Sequence, residues 1–301
     1  MMNLTLKQLR YFDALAQHQH FGRAADACAI SQPALSVQIK ELENMFGTPL
    51  VERGGRRVRL TAIGEALLDK SRRILMQVEE LGDLVRASNG LLAGVLRLGI
   101  IPTIAPYLLP AIVAGLGRDY PGVTLELRES VTHALIRDLA EARLDLAIVA
   151  LPISEPNLTE MALFDEDFVL VRPASDADKP VPSPKNLQSM RLLLLEEGHC
   201  FRDQALSYCA FTENQPRQMM EGSSLSTLVQ MVGAGMGVTL IPEMAINLER
   251  RAVGVSVARF GDPAPKRTIG VVWRSTNPLF LQLASVAEII RAAGQSQPRT
   301  A

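Results

Sequence analysis

Ser31-Gln32-Pro33-Ala34-Leu35-Ser36-Val37-Gln38-Ile39-Lys40-Glu41-Leu42 carries the pattern that decides the fold of the first sixty residues. Ser31 is a natural helix N-cap and Pro33 falls in the first turn, where its missing N–H costs nothing. Leu35, Ile39 and Leu42 then recur at helical spacing as a buried stripe. The opposite face, Pro33, Ser36, Val37 and Lys40, is small and mostly uncharged. Such a face suits a DNA groove better than bulk water. Upstream, Leu6, Leu9, Phe12, Leu15 and Ala16 mark one helix and Arg23 to Cys28 a second, joined to the third by a tight turn at Ala29-Ile30. Downstream, Val51 to Leu60 holds two glycines and four arginines in an alternating run. That run reads as a β-hairpin wing, with a merely solvated basic hairpin as the plainer alternative.

Thr61 can cap a long helix reaching about Ser88. Leu67, Ile74, Val78, Leu81 and Val85 give it an apolar stripe, as in a short coiled-coil arm or a helix packed on its own chain. From Val95 onward the rhythm changes to alternating strands and helices. Strands are expected at Val95–Ile100, Thr124–Glu129, Leu144–Ala150, Phe168–Arg172, Leu192–Glu196, Gly237–Ile241 and Thr268–Trp273. Helices are expected at Thr132–Arg143 and Ser224–Gly233. This is the α/β pattern of open parallel sheets, and about 200 residues suffice for two lobes with a cleft between them. Pro173 to Pro184 reads as an exposed loop.

The net charge of −1 conceals an asymmetry: residues 1–60 hold eight Lys or Arg against five Asp or Glu, and the excess reverses beyond them. A basic head on an acidic body is compatible with nucleic-acid contact but does not establish it. No charged and apolar leader opens the sequence, and no run approaches a membrane span, so a cytoplasmic protein without membrane contact is expected. Three cysteines, Cys28, Cys200 and Cys209, argue against a structural disulfide framework. Cys28 reads as a buried, inert thiol on the packed side of the second helix. His199, Cys200 and Cys209 offer a zinc set, but no second knuckle or histidine cluster supports it, so no metal and no cofactor are expected. The glycines of Gly233-x-Gly235-x-Gly237 precede a strand instead of following one, which excludes a dinucleotide fingerprint. Glu221-Gly222-Ser223-Ser224 opens a helix, by simple N-capping or as an anion site.

Phe21-Gly22-Arg23-Ala24-Ala25, Ser31 to Ser36, Ile39 to Glu43 and Gly47 to Arg53 together resemble the DNA-binding head of the LysR family of transcriptional regulators. The remainder is similar to that family's effector domain. The resemblance implies a winged helix-turn-helix over 1–60 and a linker or dimerisation helix over 61–90. A two-lobed, periplasmic-binding-protein-like effector domain over 91–301 would follow, lobe I spanning about 91–164 and 268–301 and lobe II about 165–267. In DNA recognition Gln32 would hydrogen-bond a base edge, while Pro33 and Val37 would touch thymine methyls. Ser31 and Ser36 would donate to phosphates or bases, and Lys40 and Arg53 would meet phosphates.

Within the family, Ile101 to Pro110, Thr132-His133, Gly198 to Gln204 and Arg267 to Gly270 resemble the OxyR-type peroxide sensors, as does a cysteine nine residues after Cys200. What this resemblance implies is a regulator of oxidative-stress genes, not an enzyme. Cys200 would be the peroxide-reactive thiolate and Cys209 the resolving thiol; Thr103, Thr132, His199 and Arg267 would form the peroxide pocket. His199 and Arg202 flank Cys200 in sequence, and positive charge favours the thiolate that attacks peroxide. Were residues 200–209 all helical, the two cysteine Cα atoms would stand roughly 13 Å apart. A disulfide needs about 4.4–6.8 Å, so oxidation would have to bend or unwind the segment. The implied partners are promoter DNA, further copies of the chain in a dimer and a tetramer, RNA polymerase, hydrogen peroxide, and a thiol reductant such as a glutaredoxin or thioredoxin. Two alternatives remain: a regulator that binds a small metabolite between the lobes, with incidental cysteines, and a thiol peroxidase using Cys200.

Overall fold

The computed structural model describes residues 3–52, 58–88, 92–208, 220–251 and 254–296 of the 301-residue chain. It divides into two compact units, Met1–Val85 and Arg86–Ala301.

The first unit is built on three short helices, α1 (Leu6–His18), α2 (Phe21–Ala27) and α3 (Gln32–Phe46). Thr5 and Gln8 form a capping box at the start of α1, and Ser31 Oγ accepts from Ala34 N at 3.3 Å to start α3. Gly47, at φ +68°, ends α3 in the left-handed region where a side chain would be strained. Phe12, Leu15, Ala24, Ala25, Leu35, Ile39 and Leu42 share one core, as the periodicity required. Strands β1 (Val51–Glu52) and β2 (Arg59–Leu60) pair antiparallel, the base of the expected wing; its turn and Arg53 lie outside the described residues. Glu43, buried on α3, accepts from Leu50 N at 2.9 Å and Val51 N at 3.3 Å and so ties the hairpin to the helix. Thr61 Oγ1 accepts from Gly64 N at 3.0 Å and caps α4 (Ala62–Ser88). The Arg72–Asp13 pair at 2.7 Å holds α4 to α1. Cys28 is a correction to the sequence reading: it is the C-cap of α2 and only half-buried. Burial, then the nearby Asp13 charge, push its thiol above the ordinary range, which disfavours the thiolate.

The second unit runs β3 (Gly94–Ile100), α5 (Ala105–Asp119), β4 (Val123–Glu129), α6 (Thr132–Ala140), β5 (Leu146–Leu151) and the long β6 (Leu158–Pro173). It continues through α7 (Pro184–Leu187), β7 (Leu193–Leu195), α8 (Cys200–Tyr208), β8 (Met220–Gly222), α9 (Leu225–Gly233) and β9 (Thr239–Pro242). It closes with α10 (Ile246–Glu249), β10 (Val255–Arg259), β11 (Lys266–Arg274) and α11 (Phe280–Gln295). Two apolar cores make it two-lobed: one gathers residues of 92–163 and 269–293, the other mainly residues of 168–258.

The sheet is mixed, not parallel as the alternating rhythm suggested. β3 pairs parallel with β4 and β5, but β11 lies antiparallel to both β5 and β6. The cause is connectivity. β6 runs from the first lobe into the second, pairing with β11 over Leu158–Asp167 and with β9 and β10 beyond Phe168. The chain returns along β11 in the opposite direction, and Phe168 N donates to Pro265 O at 2.8 Å where the two crossings meet. Among the described residues no helix is long and apolar enough to cross a membrane.

Candidate functional site

Helix α3 presents Gln32, Pro33, Ser36, Val37 and Lys40 to solvent while Leu35, Ile39 and Leu42 are buried. Val37 is 54% exposed on this face. Ser31 is exposed too; its oxygen caps the helix and its hydroxyl hydrogen stays free to donate outward.

The cysteine site lies in the effector unit. Leu193–Leu195 forms a buried strand, Gly198 at φ +95° turns the chain, and Cys200 opens α8. The positive φ explains glycine at 198, and the His133 ring sits 3.4 Å from where a Cβ would stand. Cys200, half-buried, packs against the core of the first lobe, whereas its neighbour Phe201 is buried in the core of the second. The first turn of a helix favours anionic charge through its outward N–H groups. α8 runs through Tyr208, so the chain has risen about 12 Å from Cys200 when it reaches the residue before Cys209. Cys209 lies outside the described residues.

Cys200 lines an open groove of about 720 Å³ between α6, the end of β5 and α8. Thr132, His133, Ile136, Leu151, Ile153 and Gln204 line it too. Thr132 Oγ1 and Gln204 Oε1 are buried, and among the described residues no hydrogen-bond partner reaches either. Buried polar atoms without partners are costly, and both oxygens lie beneath the surface of the groove.

Thr103 and Arg267 form a second, interior cluster and do not line the groove. The Arg267 side chain is wholly buried: Nε donates to Glu166 Oε2 at 2.8 Å, one terminal nitrogen to Thr103 Oγ1 at 2.8 Å, and the other to Thr103 O at 3.1 Å. Its carbon Cζ stands 5.4 Å over the Phe201 ring, which links the cluster to the residue following Cys200. Burial pushes the Glu166 carboxyl above its ordinary range, against the pull of Arg267 and the Met244 N–H. Glu166 went unnoticed in the sequence; its one signal was a carboxylate sharing the inward parity of Phe168 on a strand. Arg202, beside Cys200 in sequence, spends its guanidinium on Leu195 O at 2.9 Å and Glu221 Oε1 at 2.6 Å.

His199 precedes Cys200 without lining the groove. Its pKa is lowered, chiefly by burial, with Glu196 opposing. Its folded pKa thus lies below the unfolded value, and its contribution to stability is present above the ordinary histidine range and lost as pH falls through the folded value. An NMR titration of the His199 ring is expected to show a midpoint below 6.5. A midpoint at or above that would contradict a desolvated, neutral ring. No cluster of metal-ligating side chains occurs among the described residues.

Residues 6–65 match the family described as bacterial regulatory helix-turn-helix protein, lysR family, and residues 89–295 match the LysR substrate binding domain. The chain is 39% identical over 291 residues to the DNA-binding transcriptional dual regulator OxyR of Escherichia coli, covering 96% of this chain and 95% of the relative. It is 40% identical over 299 residues to a probable hydrogen peroxide-inducible genes activator of Streptomyces viridosporus, covering 98% and 96%. Among solved structures, a full-length OxyR variant from Pseudomonas aeruginosa is 37% identical over the whole of both chains with a TM-score of 0.77. A hydrogen peroxide-bound OxyR variant of Corynebacterium glutamicum is 36% identical, with a TM-score of 0.66, covering 97% of this chain and 93% of that one.

Proposed function

The chain belongs to the LysR family of bacterial helix-turn-helix regulators, and from that premise we propose that it senses hydrogen peroxide through a reversible Cys200–Cys209 disulfide and so controls transcription of oxidative-stress genes. The observation that carries the reading is Cys200 at the start of α8, on the wall of a groove where the Thr132 hydroxyl and Gln204 carbonyl oxygen lack partners. A thiolate at Cys200 attacks one peroxide oxygen; the S–O bond forms as the O–O bond breaks, and the departing oxygen takes up a proton as water. The Cys209 thiol then displaces water from the sulfenic acid and closes the disulfide. Thr132 orients the peroxide. Thr103 and Arg267 act from the interior, fixing Phe201 and hence the first turn of α8. His199, outside the groove lining, positions a water beside the thiol.

Closing the disulfide bends or unwinds α8, because its rise already carries Tyr208, the residue before Cys209, about 12 Å from Cys200. Tyr208 packs edge-on against Phe260 at 5.2 Å between ring centroids, so this rearrangement disturbs the second lobe. Residues 1–60 bind promoter DNA, 61–90 form the linker helix, and 91–301 sense. On α4 the exposed stripe of Ile74, Leu81 and Val85 meets a second copy. The dimer, paired into a tetramer, acts in the cytoplasm on RNA polymerase, and a glutaredoxin- or thioredoxin-like thiol resets it.

Footprinting on the cognate promoter tests the reading. Reduced and peroxide-treated protein are expected to protect different stretches of DNA, and Lys40→Ala to reduce the salt-dependence slope of binding by about 1. Identical footprints and identical transcription in both redox states would refute it.

A further inference from the structure

Helix α5 belongs to the first lobe: Ala105, Leu108, Ile112 and Leu116 form one stripe along it, and all four are buried in that lobe's core. At about 3.6 residues per turn, Tyr107 falls on the opposite side of the helix, and it is buried in the core of the second lobe instead. There its hydroxyl donates to Glu249 Oε1 at 2.9 Å, at the end of α10. Glu249 is buried as well, and the same oxygen accepts from Ser226 Oγ on α9 at 2.8 Å. The bond from Tyr107 therefore crosses between the lobes, whereas the bond from Ser226 stays within the second. Burial, and then the adjoining Glu249 charge, push the Tyr107 hydroxyl well above its ordinary range, so it remains a donor. Arg267 and Glu166, on the two strands that join the lobes, also act on Tyr107 through their charges, which puts the crossing bond beside the hinge.

The first turn of α8 is gripped by both lobes, with Cys200, here a free thiol, against the core of the first and Phe201 inside the core of the second. We propose that Tyr107 and Glu249 form an interlobe latch that is closed in the reduced protein, opens as the disulfide forms, and so sets how oxidising a signal the switch requires. The inference rests on the Cys200–Cys209 disulfide being the switch. Bending α8 pulls its first turn against one grip or the other, and the lobes yield by turning about the joining strands. A directional bond between them weakens steeply once its angle is lost. An interaction present in only one of two states shifts their equilibrium by its own free energy. The latch thereby stabilises the dithiol and raises the midpoint potential. Closing the disulfide removes two electrons and two protons from the thiols; in a glutathione buffer they pass to glutathione disulfide, which becomes two glutathione thiols.

The test equilibrates full-length wild type, Tyr107→Phe, Glu249→Gln and Ser226→Ala in glutathione buffers of graded ratio and reads the fraction of Cys200–Cys209 disulfide by mass spectrometry. Tyr107→Phe keeps the ring and removes the crossing bond to a charged acceptor, so it is expected to favour the disulfide roughly tenfold. That is a midpoint about 30 mV more negative. Glu249→Gln, whose amide oxygen still accepts from both hydroxyls, should move the midpoint in the same direction by less. Ser226→Ala removes a bond within one lobe and should leave the midpoint in place. A tie kept in both redox states would give another result: Tyr107→Phe would lower the melting temperatures of the reduced and oxidised proteins equally and leave the midpoint unmoved. That result, or an equal shift for Ser226→Ala, would overturn the inference and leave the sensor reading standing. A wild type that forms no Cys200–Cys209 disulfide in any buffer or after a peroxide pulse would overturn both.

Discussion

Replacing Arg267 by methionine is expected to destabilise the effector unit by about 3–5 kcal/mol, the range for removing one partner of a buried ion pair. Three interactions are lost together: the charge pair with Glu166, the two hydrogen bonds to Thr103, and the stacking on Phe201. The side chain that remains, Glu166, is buried and still accepts from Met244 N, but its charge has no counterion. Its folded pKa, already raised by burial, then loses the opposing pull of Arg267 and rises further. For a carboxylate whose folded pKa exceeds the unfolded one, stability is full below the unfolded value and lost as pH climbs through the folded value. The variant should therefore melt at a lower temperature near pH 8 than near pH 5. Adding Glu166→Gln should recover part of the loss, because the amide oxygen still accepts from Met244 N. Equal melting temperatures for wild type and variant across that range would show that the cluster carries no structural weight.

Cys200→Ser has the largest expected effect on chemistry. A serine hydroxyl is not ionised near neutral pH and does not reduce peroxide, so the rate of peroxide consumption should fall by at least about a hundredfold. Cys28 is not expected to substitute, since burial and Asp13 disfavour its thiolate. The melting temperature should barely move, because the thiol is half-buried and serine keeps its approximate volume. A variant that still consumes peroxide at the wild-type rate would place the reactive thiol elsewhere.

Much of this was legible in the sequence where a local rule governs. Ser31 and Thr61 cap helices because they precede apolar periodicity, and Leu35, Ile39 and Leu42 are buried because their spacing leaves them no other face. The sheet order was not legible. Nothing local to Leu158–Pro173 says that it bridges two lobes, and its Asp165-Glu166-Asp167 run interrupts the apolar pattern that marks a buried strand. Strands Met220–Gly222 and Val255–Arg259 also escaped notice, being three and five residues long and lacking clear alternation. Parallel pairing was inferred from the alternation of strands and helices, which is blind to a chain that leaves a sheet and returns antiparallel. The cysteine site was legible only in part. Proximity in sequence suggested that Arg202 would face Cys200, whereas the fold directs it to Glu221 and Leu195. The Glu166 partner of Arg267 lies 101 residues away and leaves no spacing to read.

The most direct test of the central claim is mass-spectrometric mapping of every thiol in reduced, full-length protein after a brief, near-stoichiometric pulse of hydrogen peroxide. The expected product, formed within seconds, is a Cys200–Cys209 disulfide with Cys28 still free. Free thiols at Cys200 and Cys209 after the pulse would contradict the account, and the signal for this LysR-family regulator would then have to be sought among ligands other than peroxide.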